Sequence, residues 1–323
     1  MGFFNTVCTS TVKLTGKTAI ITGCNTGIGK VTAQDFYKRG ARVIMACRNQ
    51  EKATKAAQDI KQKCEHEGTC NLGELIVDEL DLSSLKSIRQ FTKKIIDRES
   101  RIDILVNNGG VMTCPESKTE DGFEMQFGTN HLGHFLLTIL LLPKIVHRNF
   151  ESSDPSRIVT VSSVAHERGT MNFEDLNWEK RKYSAIGAYG QSKLANILFT
   201  KELARRLKEA NINNVTTYSL HPGVIATELG RHMKDTYGVI ATFVWGMLKW
   251  LLKTPEQGAQ TTIYCSVDEK CKHESGLYYA ECNVKTPTKL AQNQEDAERL
   301  WTESLKLVGL PENFDPFRGD TSS

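Results

Sequence analysis

The sequence predicts an α/β fold: a single doubly wound parallel sheet with helices on both faces and a helical C-terminal extension. Three observations predict it. Short apolar runs alternate with helix-length segments from residue 17 to about 281, and such alternation specifies parallel strands joined by helical crossovers. A glycine-rich turn stands directly between the first run and the first helix. No internal repeat competes with this reading.

The first buried strand is Thr18-Ala19-Ile20-Ile21, followed by a helix over 30–39 that Gly40 ends. Arg42-Val43-Ile44-Met45-Ala46 is the second strand, and 50–63 is a charged, alanine-rich helix. Leu75-Ile76-Val77 forms the third strand, and Ser83-Ser84 begin a helix that runs to 96. Ile104-Leu105-Val106 is the fourth strand, followed by a long helix over 122–146. Segments 157–161, 189–210 and 215–220 continue as strand, helix and strand. The stretches 64–73 and 164–186 are insertions or loops. In the tail, Leu290, Ala297, Leu300, Trp301, Leu305 and Val308 lie mostly on one helical face, which packs on the domain. Each crossover is expected to be right-handed. One domain is expected over 1–323, with its core at about 14–285, an apolar lid at about 227–252 and the tail at 286–323.

Composition excludes several function classes. The chain has 323 residues, 39% hydrophobic and 24% charged, which is ordinary for a folded enzyme and unlike a disordered chain. Forty-one basic against 38 acidic residues give +3 without a basic run, so no nucleic-acid partner is expected. The nine cysteines have no C-x-x-C spacing and read as reduced thiols. Cys265, Cys271, His273 and Cys282 lack zinc-ligand spacing, so no metal is expected. The N-terminus has no secretory signal, although Gly2 and Thr6 match the bare myristoylation pattern. A cytoplasmic protein, or one on the cytosolic face of an intracellular membrane such as endoplasmic reticulum or lipid droplet, is expected; secretion is not.

Gly23-Cys24-Asn25-Thr26-Gly27-Ile28-Gly29 follows the first strand and opens the first helix. Glycines there allow a tight turn and let backbone N–H groups approach a pyrophosphate, which a helix N-terminus also attracts. A dinucleotide fold usually ends its second strand on an acid that holds the ribose 2′-hydroxyl. Here the strand ends Ala46-Cys47-Arg48, with no acid before Glu51. A carboxylate would repel a 2′-phosphate, whereas a guanidinium binds one bidentately. NADP(H) is therefore expected over NAD(H), with Arg48 as the discriminator; the bland alternative is a solvated surface arginine.

Tyr189-Gly190-Gln191-Ser192-Lys193 has the Y-x-x-x-K spacing that puts both side chains on one helix face. Together with the glycine turn, Asn107-Asn108-Gly109-Gly110 and Val161-Ser162-Ser163, this resembles the short-chain dehydrogenase/reductase superfamily, a Rossmann-type fold. The resemblance covers about residues 14 to 285, with the motifs in family order. Asn25-Thr26-Gly27-Ile28-Gly29-Lys30, Asn130-His131-Leu132-Gly133-His134-Phe135, Ser162-Ser163-Val164-Ala165-His166 and Ser192-Lys193-Leu194-Ala195-Asn196 are similar to the NADP-dependent retinol dehydrogenase subgroup. Two departures stand out: several relatives carry an N-terminal membrane helix that is missing here, and Gly110 replaces the usual alanine, a sterically mild change.

A free tyrosine has a pKa of ~10, and a nearby ammonium favours its phenolate. Tyr189 is thus the expected acid/base, and Lys193 tunes it and grips the nicotinamide ribose. Ser163 holds the substrate oxygen, with Ser162 the adjacent alternative, since strand alternation turns only one of them toward the site. The resemblance implies hydride transfer from the nicotinamide and a water held by Asn130 that links Lys193 to solvent. It also implies cofactor contacts at Asp81 and Leu82, at Asn107 and Gly109, at Pro222 and Gly223, and at Thr227.

Residues 237–252 are apolar nearly all round. As a helix these sixteen residues reach about 24 Å, short of a comfortable span. They suit a lid over an apolar substrate or peripheral contact with a membrane; the alternative is a core or interface helix, as in a homodimer. The expected activity is interconversion of lipophilic alcohols with aldehydes or ketones, retinol and retinaldehyde first. A steroid or general carbonyl reductase is the nearest rival, and a non-catalytic dinucleotide-binding scaffold at a lipid surface is the rival of a different class.

Overall fold

Eight strands form a single sheet in the order β3-β2-β1-β4-β5-β6-β7-β8. The computed structural model describes residues 6–146, 154–225 and 253–317. Its strands are β1 Thr18–Thr22, β2 Arg42–Cys47, β3 Glu74–Glu79, β4 Ile104–Asn107, β5 Ser156–Val161, β6 Val215–His221, β7 Leu277–Ala280 and β8 Asn283–Val284. All neighbouring pairs are parallel except β7 with β8. The predicted doubly wound class is the observed one, with one antiparallel edge pair added.

Strand residues alternate between two cores. Ile20, Ile44, Leu105 and Ile158 face one layer, and Ile21, Met45, Val106 and Val159 the other. The first layer buries α3 (Leu85–Arg98), α5 (Gly133–Ile145) and α6 (Ala185–Glu209). The second buries α1 (Gly27–Lys38) and α2 (Gln50–His66), along with Pro255–Val267, here α7. A sheet covered on both faces requires apolar side chains at successive strand positions, which is why the strands read as continuous apolar runs.

Two elements differ from their sequence reading. The helix expected over 122–146 begins at Met125 as a single turn, α4 (Met125–Phe127). It widens into a π-helical segment, Gly128–Leu132, before α5 continues. The helix expected from 189 begins earlier, because Ser184 caps it by accepting from Gly187 N at 3.2 Å. In the tail, Asn293 caps α8 (Gln294–Leu307), whose Trp301 packs edge-on against Phe135, ring centroids 5.3 Å apart. Gly2, Thr227 and the apolar 237–252 stretch lie outside the described residues.

Candidate active site

Strand order reverses between the parallel neighbours β1 and β4: β2 and β3 build outward from one, β5 and β6 from the other. Such a switch point opens a crevice at the strand C-termini. A cleft of about 450 Å³ lies there, within the range of small-molecule sites. Gly23, Asn25, Thr26, Gly27, Ile28 and Gly29 line it, as do Arg48, Asp81, Leu82 and Gly109. Ser163, Tyr189, Lys193, Pro222 and Gly223 complete the predicted set found in the cleft.

The turn after β1 needs its glycines for contact as well as conformation. Gly23 has φ +63°, and a Cβ there would stand 2.6 Å from Gly109 Cα. A Cβ on Gly29 would meet Gly23 O at 2.7 Å and Cys24 Cα at 2.8 Å. Asn108 ties the two turns together, its Nδ2 donating to Thr22 O at 2.8 Å and Gly23 O at 3.2 Å. This close-walled turn, opening onto the N-terminus of α1, fits a pyrophosphate and would not admit side chains in its place.

Arg48 stands exposed at the cleft's other end, its guanidinium 3.9 Å from Asp81. Asp81 in turn accepts from Ser83 N and Ser83 Oγ, at 2.9 and 2.6 Å. Lys52 also lines the cleft, one turn into α2, where Asn49 caps the helix by accepting from Lys52 N at 2.8 Å. Sequence reasoning missed Lys52, because Arg48 precedes the helix and helical spacing does not relate the two.

Tyr189 and Lys193 sit one helical turn apart on α6, the ammonium 5.5 Å from the phenol ring centre. Both are buried. Ser163 hydrogen-bonds Tyr189 and is half-buried. Ser162 turns away, donating to Lys193 O at 2.7 Å within the core. Of the two serines, then, only Ser163 meets the phenol. Burial pushes Tyr189 up to about 12, opposed by the Ser163 bond, and burial brings Lys193 down to about 8. This corrects the expectation that Lys193 lowers the tyrosine. At this separation, with Lys193 Nζ donating to Val161 O at 3.1 Å, loss of hydration outweighs the ammonium's pull.

Asn130 lies within the π-helical segment, a local geometry often found at functional sites. Its Oδ1 accepts from Val111 N at 2.8 Å, and its Nδ2 donates to Val111 O and Ser192 Oγ at 2.9 and 3.0 Å. The side chain thus ties the β4 turn to α6 beside Lys193. Its backbone carbonyl faces His134 Nδ1 at 3.0 Å, and His134 Nε2 lies 2.9 Å from Thr22 Oγ1. Burial holds His134 down to about 4, so it is neutral. A carbonyl only accepts, so Nδ1 carries the proton and Nε2 accepts from Thr22. This link between β1 and the Asn130 segment was missed, because a lone histidine one turn after Asn130 reads equally well as core.

Two further expectations are corrected. Asn107 does not line the cleft: it is buried, with Nδ2 donating to Thr138 Oγ1 at 2.9 Å, and Asn108 takes the cleft position. Strand β4 extends through Asn107, so alternation points that residue into the helix layer. Nor is Gly110 a mild replacement, since a Cβ there would stand 2.8 Å from the hydrogen-bonded Asn130 Oδ1. Among the described residues, no group of three or more His, Cys, Asp or Glu is placed to hold a metal ion. Likewise no described helix is long and apolar enough to cross a membrane.

The pattern of the short chain dehydrogenase family matches residues 17–238. Retinol dehydrogenase 13 of Mus musculus is 51% identical over 304 residues, covering 94% of this chain and 87% of that protein. Retinol dehydrogenase 11 of Homo sapiens is 48% identical over 305 residues, covering 94% of this chain and 90% of that one. Among solved structures, an uncharacterised protein from Mycobacterium paratuberculosis superposes with a TM-score of 0.72. It is 36% identical, over 94% of this chain and 97% of that one.

Proposed function

Because this chain belongs to the short-chain dehydrogenase family, we propose that it is an NADP(H)-dependent oxidoreductase interconverting lipophilic alcohols with their aldehydes or ketones, retinol and retinaldehyde first. The observation that carries the reading is the phenol of Tyr189, hydrogen-bonded by Ser163 and one turn from Lys193, in the same cleft as the glycine turn. The retinol dehydrogenases that match nearly the whole chain point to the substrate class.

In this reading the turn from Gly23 to Gly29 holds the pyrophosphate, and Arg48 with Lys52 faces the 2′-phosphate. Asp81 and Leu82 would meet the adenosine half, while Gly109, Pro222 and Gly223 would line the remaining path toward the nicotinamide. When bound, the reduced nicotinamide supplies the hydride that reduces the carbonyl carbon. Ser163 Oγ donates to the carbonyl oxygen and stabilises its growing negative charge. Tyr189 Oη gives that oxygen its proton, and the Lys193 ammonium stabilises the phenolate left behind. Asn130 positions the lysine's helix through Ser192, and a water held by Asn130 would complete a proton path from Lys193 to solvent. Burial keeps the phenol protonated near neutrality, the form that carbonyl reduction requires.

The test follows NADPH consumption with all-trans-retinaldehyde and with a steroid ketone. Retinaldehyde is expected to show a kcat/KM about tenfold higher or more. A faster steroid ketone would move the assignment to the steroid or carbonyl reductases, and no turnover with either would favour a non-catalytic scaffold.

Cofactor choice has its own test. Arg48→Asp removes a charge-assisted contact to the 2′-phosphate and adds repulsion. The Kd for NADPH should rise by about thirtyfold or more, and that for NADH by only a few-fold. Equal losses would refute the role of Arg48.

Peripheral membrane contact through 237–252, on the cytosolic face of endoplasmic reticulum or lipid droplet, belongs to the same proposal, as does a homodimer. The protein should float with phosphatidylcholine–phosphatidylserine liposomes, and a Phe243→Ser, Trp245→Ser, Leu248→Ser variant should not. Undiminished flotation of the variant would exclude this segment as the anchor.

A further inference from the structure

The glycine turn carries a thiol that carbonyl reduction does not use. Cys24 follows Gly23, and Cys47 closes β2, the strand in register with β1 through Thr22↔Ala46. Gly23 N donates to Ala46 O at 2.9 Å, which holds the turn against the strand end. The Cys24 and Cys47 sulfurs are consequently 3.8 Å apart. Both are buried, yet Cys47 borders the nucleotide cleft next to Arg48.

We propose that Cys24 and Cys47 are an oxidative modification site, which a peroxide converts to a disulfide that weakens NADP(H) binding. The effect on binding rests on the dinucleotide reading above; the disulfide itself does not.

The two thiols are unequal. The hydrogen bond with Cys24, followed by backbone N–H groups of Cys24, Asn25 and Gly23, holds Cys47 below the ordinary thiol value against the opposing push of burial. Burial raises Cys24. Cys47 is therefore the better thiolate, and the thiolate is the nucleophile. Its sulfur attacks one peroxide oxygen; the O–O bond breaks, a sulfenic acid forms, and hydroxide leaves. The Cys24 sulfur then attacks the sulfenic sulfur. An S–S bond forms, the S–O bond breaks, and water departs with the Cys24 proton. Two electrons pass from the sulfur pair to the peroxide.

A disulfide needs its sulfurs about 2.05 Å apart, so closure draws them together by nearly half their present separation. Little slack exists to absorb that movement. Cys24 Cα lies against the start of α1 so closely that a Cβ on Gly29 would stand 2.8 Å from it. Movement of Cys24 therefore passes to the N–H groups that face the pyrophosphate. Conversely, a dinucleotide lying in the cleft covers Cys47 and protects it.

The experiment treats the reduced full-length protein with hydrogen peroxide, with and without saturating NADP+. Peptides are mapped by mass spectrometry, and NADPH affinity is measured by nucleotide fluorescence. A Cys24–Cys47 linked peptide about 2 Da lighter than its two halves is expected. NADPH affinity should fall about tenfold and recover with dithiothreitol, and NADP+ should slow the loss. Cys24→Ala, treated with peroxide, should yield a dimedone-trapped Cys47 sulfenic acid in place of the linked peptide. Peroxide that oxidises the exposed Cys70 without linking Cys24 to Cys47 overturns the proposal. A linked protein with unchanged NADPH affinity overturns its effect on binding. Failure of the reduced protein to bind NADPH at all would instead defeat the dinucleotide reading, while leaving the linked peptide as evidence for the disulfide.

Discussion

Replacing Tyr189 with phenylalanine is expected to lower kcat for aldehyde reduction by about 10²- to 10⁴-fold, the usual contribution of a positioned proton donor. The ring stays packed in its buried site, and only the hydroxyl that Ser163 bonds is lost. NADPH affinity should therefore stay within a few-fold of wild type, which separates a chemical defect from a folding one. The pH dependence is a second readout. Tyr189, raised to about 12, remains protonated through the neutral range and sets no inflection there. Lys193, lowered to about 8, carries its charge below that pH and loses it above. Since the ammonium stabilises the phenolate formed on proton donation, kcat/KM for reduction should be flat below about 8 and decline as pH rises through it. Equal residual rates in wild type and Tyr189→Phe would defeat the assigned mechanism, and a reduction rate that climbs through this pH would defeat the role of Lys193.

Gly23→Ala is expected to weaken NADPH binding by about a hundredfold. Two costs coincide at this position. The backbone is left-handed, at φ +63°, and the new methyl would stand 2.6 Å from Gly109 Cα. An alanine at such φ costs about 1–2 kcal/mol, and relieving the clash pushes the two cleft-lining turns apart. Gly68→Ala supplies the control. Its φ of +65° is similar, but no atom lies within 4 Å of the added methyl. That variant should lose about 1 kcal/mol of stability and bind NADPH normally. If Gly23→Ala bound NADPH as tightly as Gly68→Ala does, close approach of the two turns would not be what shapes the nucleotide site.

The predicted residues fared differently according to how local their determinants are. The glycine turn needed only a strand, a tight reversal and a helix start, all written within a dozen residues of Gly23. Tyr189 and Lys193 needed only helical spacing to share a face. Arg48 was readable from its place at a strand end. Asn107 and Asn108 were not separable in this way, because the choice depends on where β4 stops, and the strand runs one residue farther than its apolar run. The π-helical segment at Asn130 adds a widened turn that periodicity averages over, so the 122–146 helix read as continuous. His134 acquired its meaning only when α5 was laid against Thr22, 112 positions away.

By itself the sequence determined the doubly wound sheet and the order of its motifs, because apolar periodicity and turn stereochemistry act between residues close in the chain. Tertiary structure alone decided which of two adjacent serines meets the phenol and which of two asparagines borders the cleft. It also decided that the phenol stays protonated beside a weakened lysine, and that two buried thiols come within 3.8 Å. Those outcomes depend on desolvation and on register between segments far apart in the chain, and neither exists until the sheet is assembled.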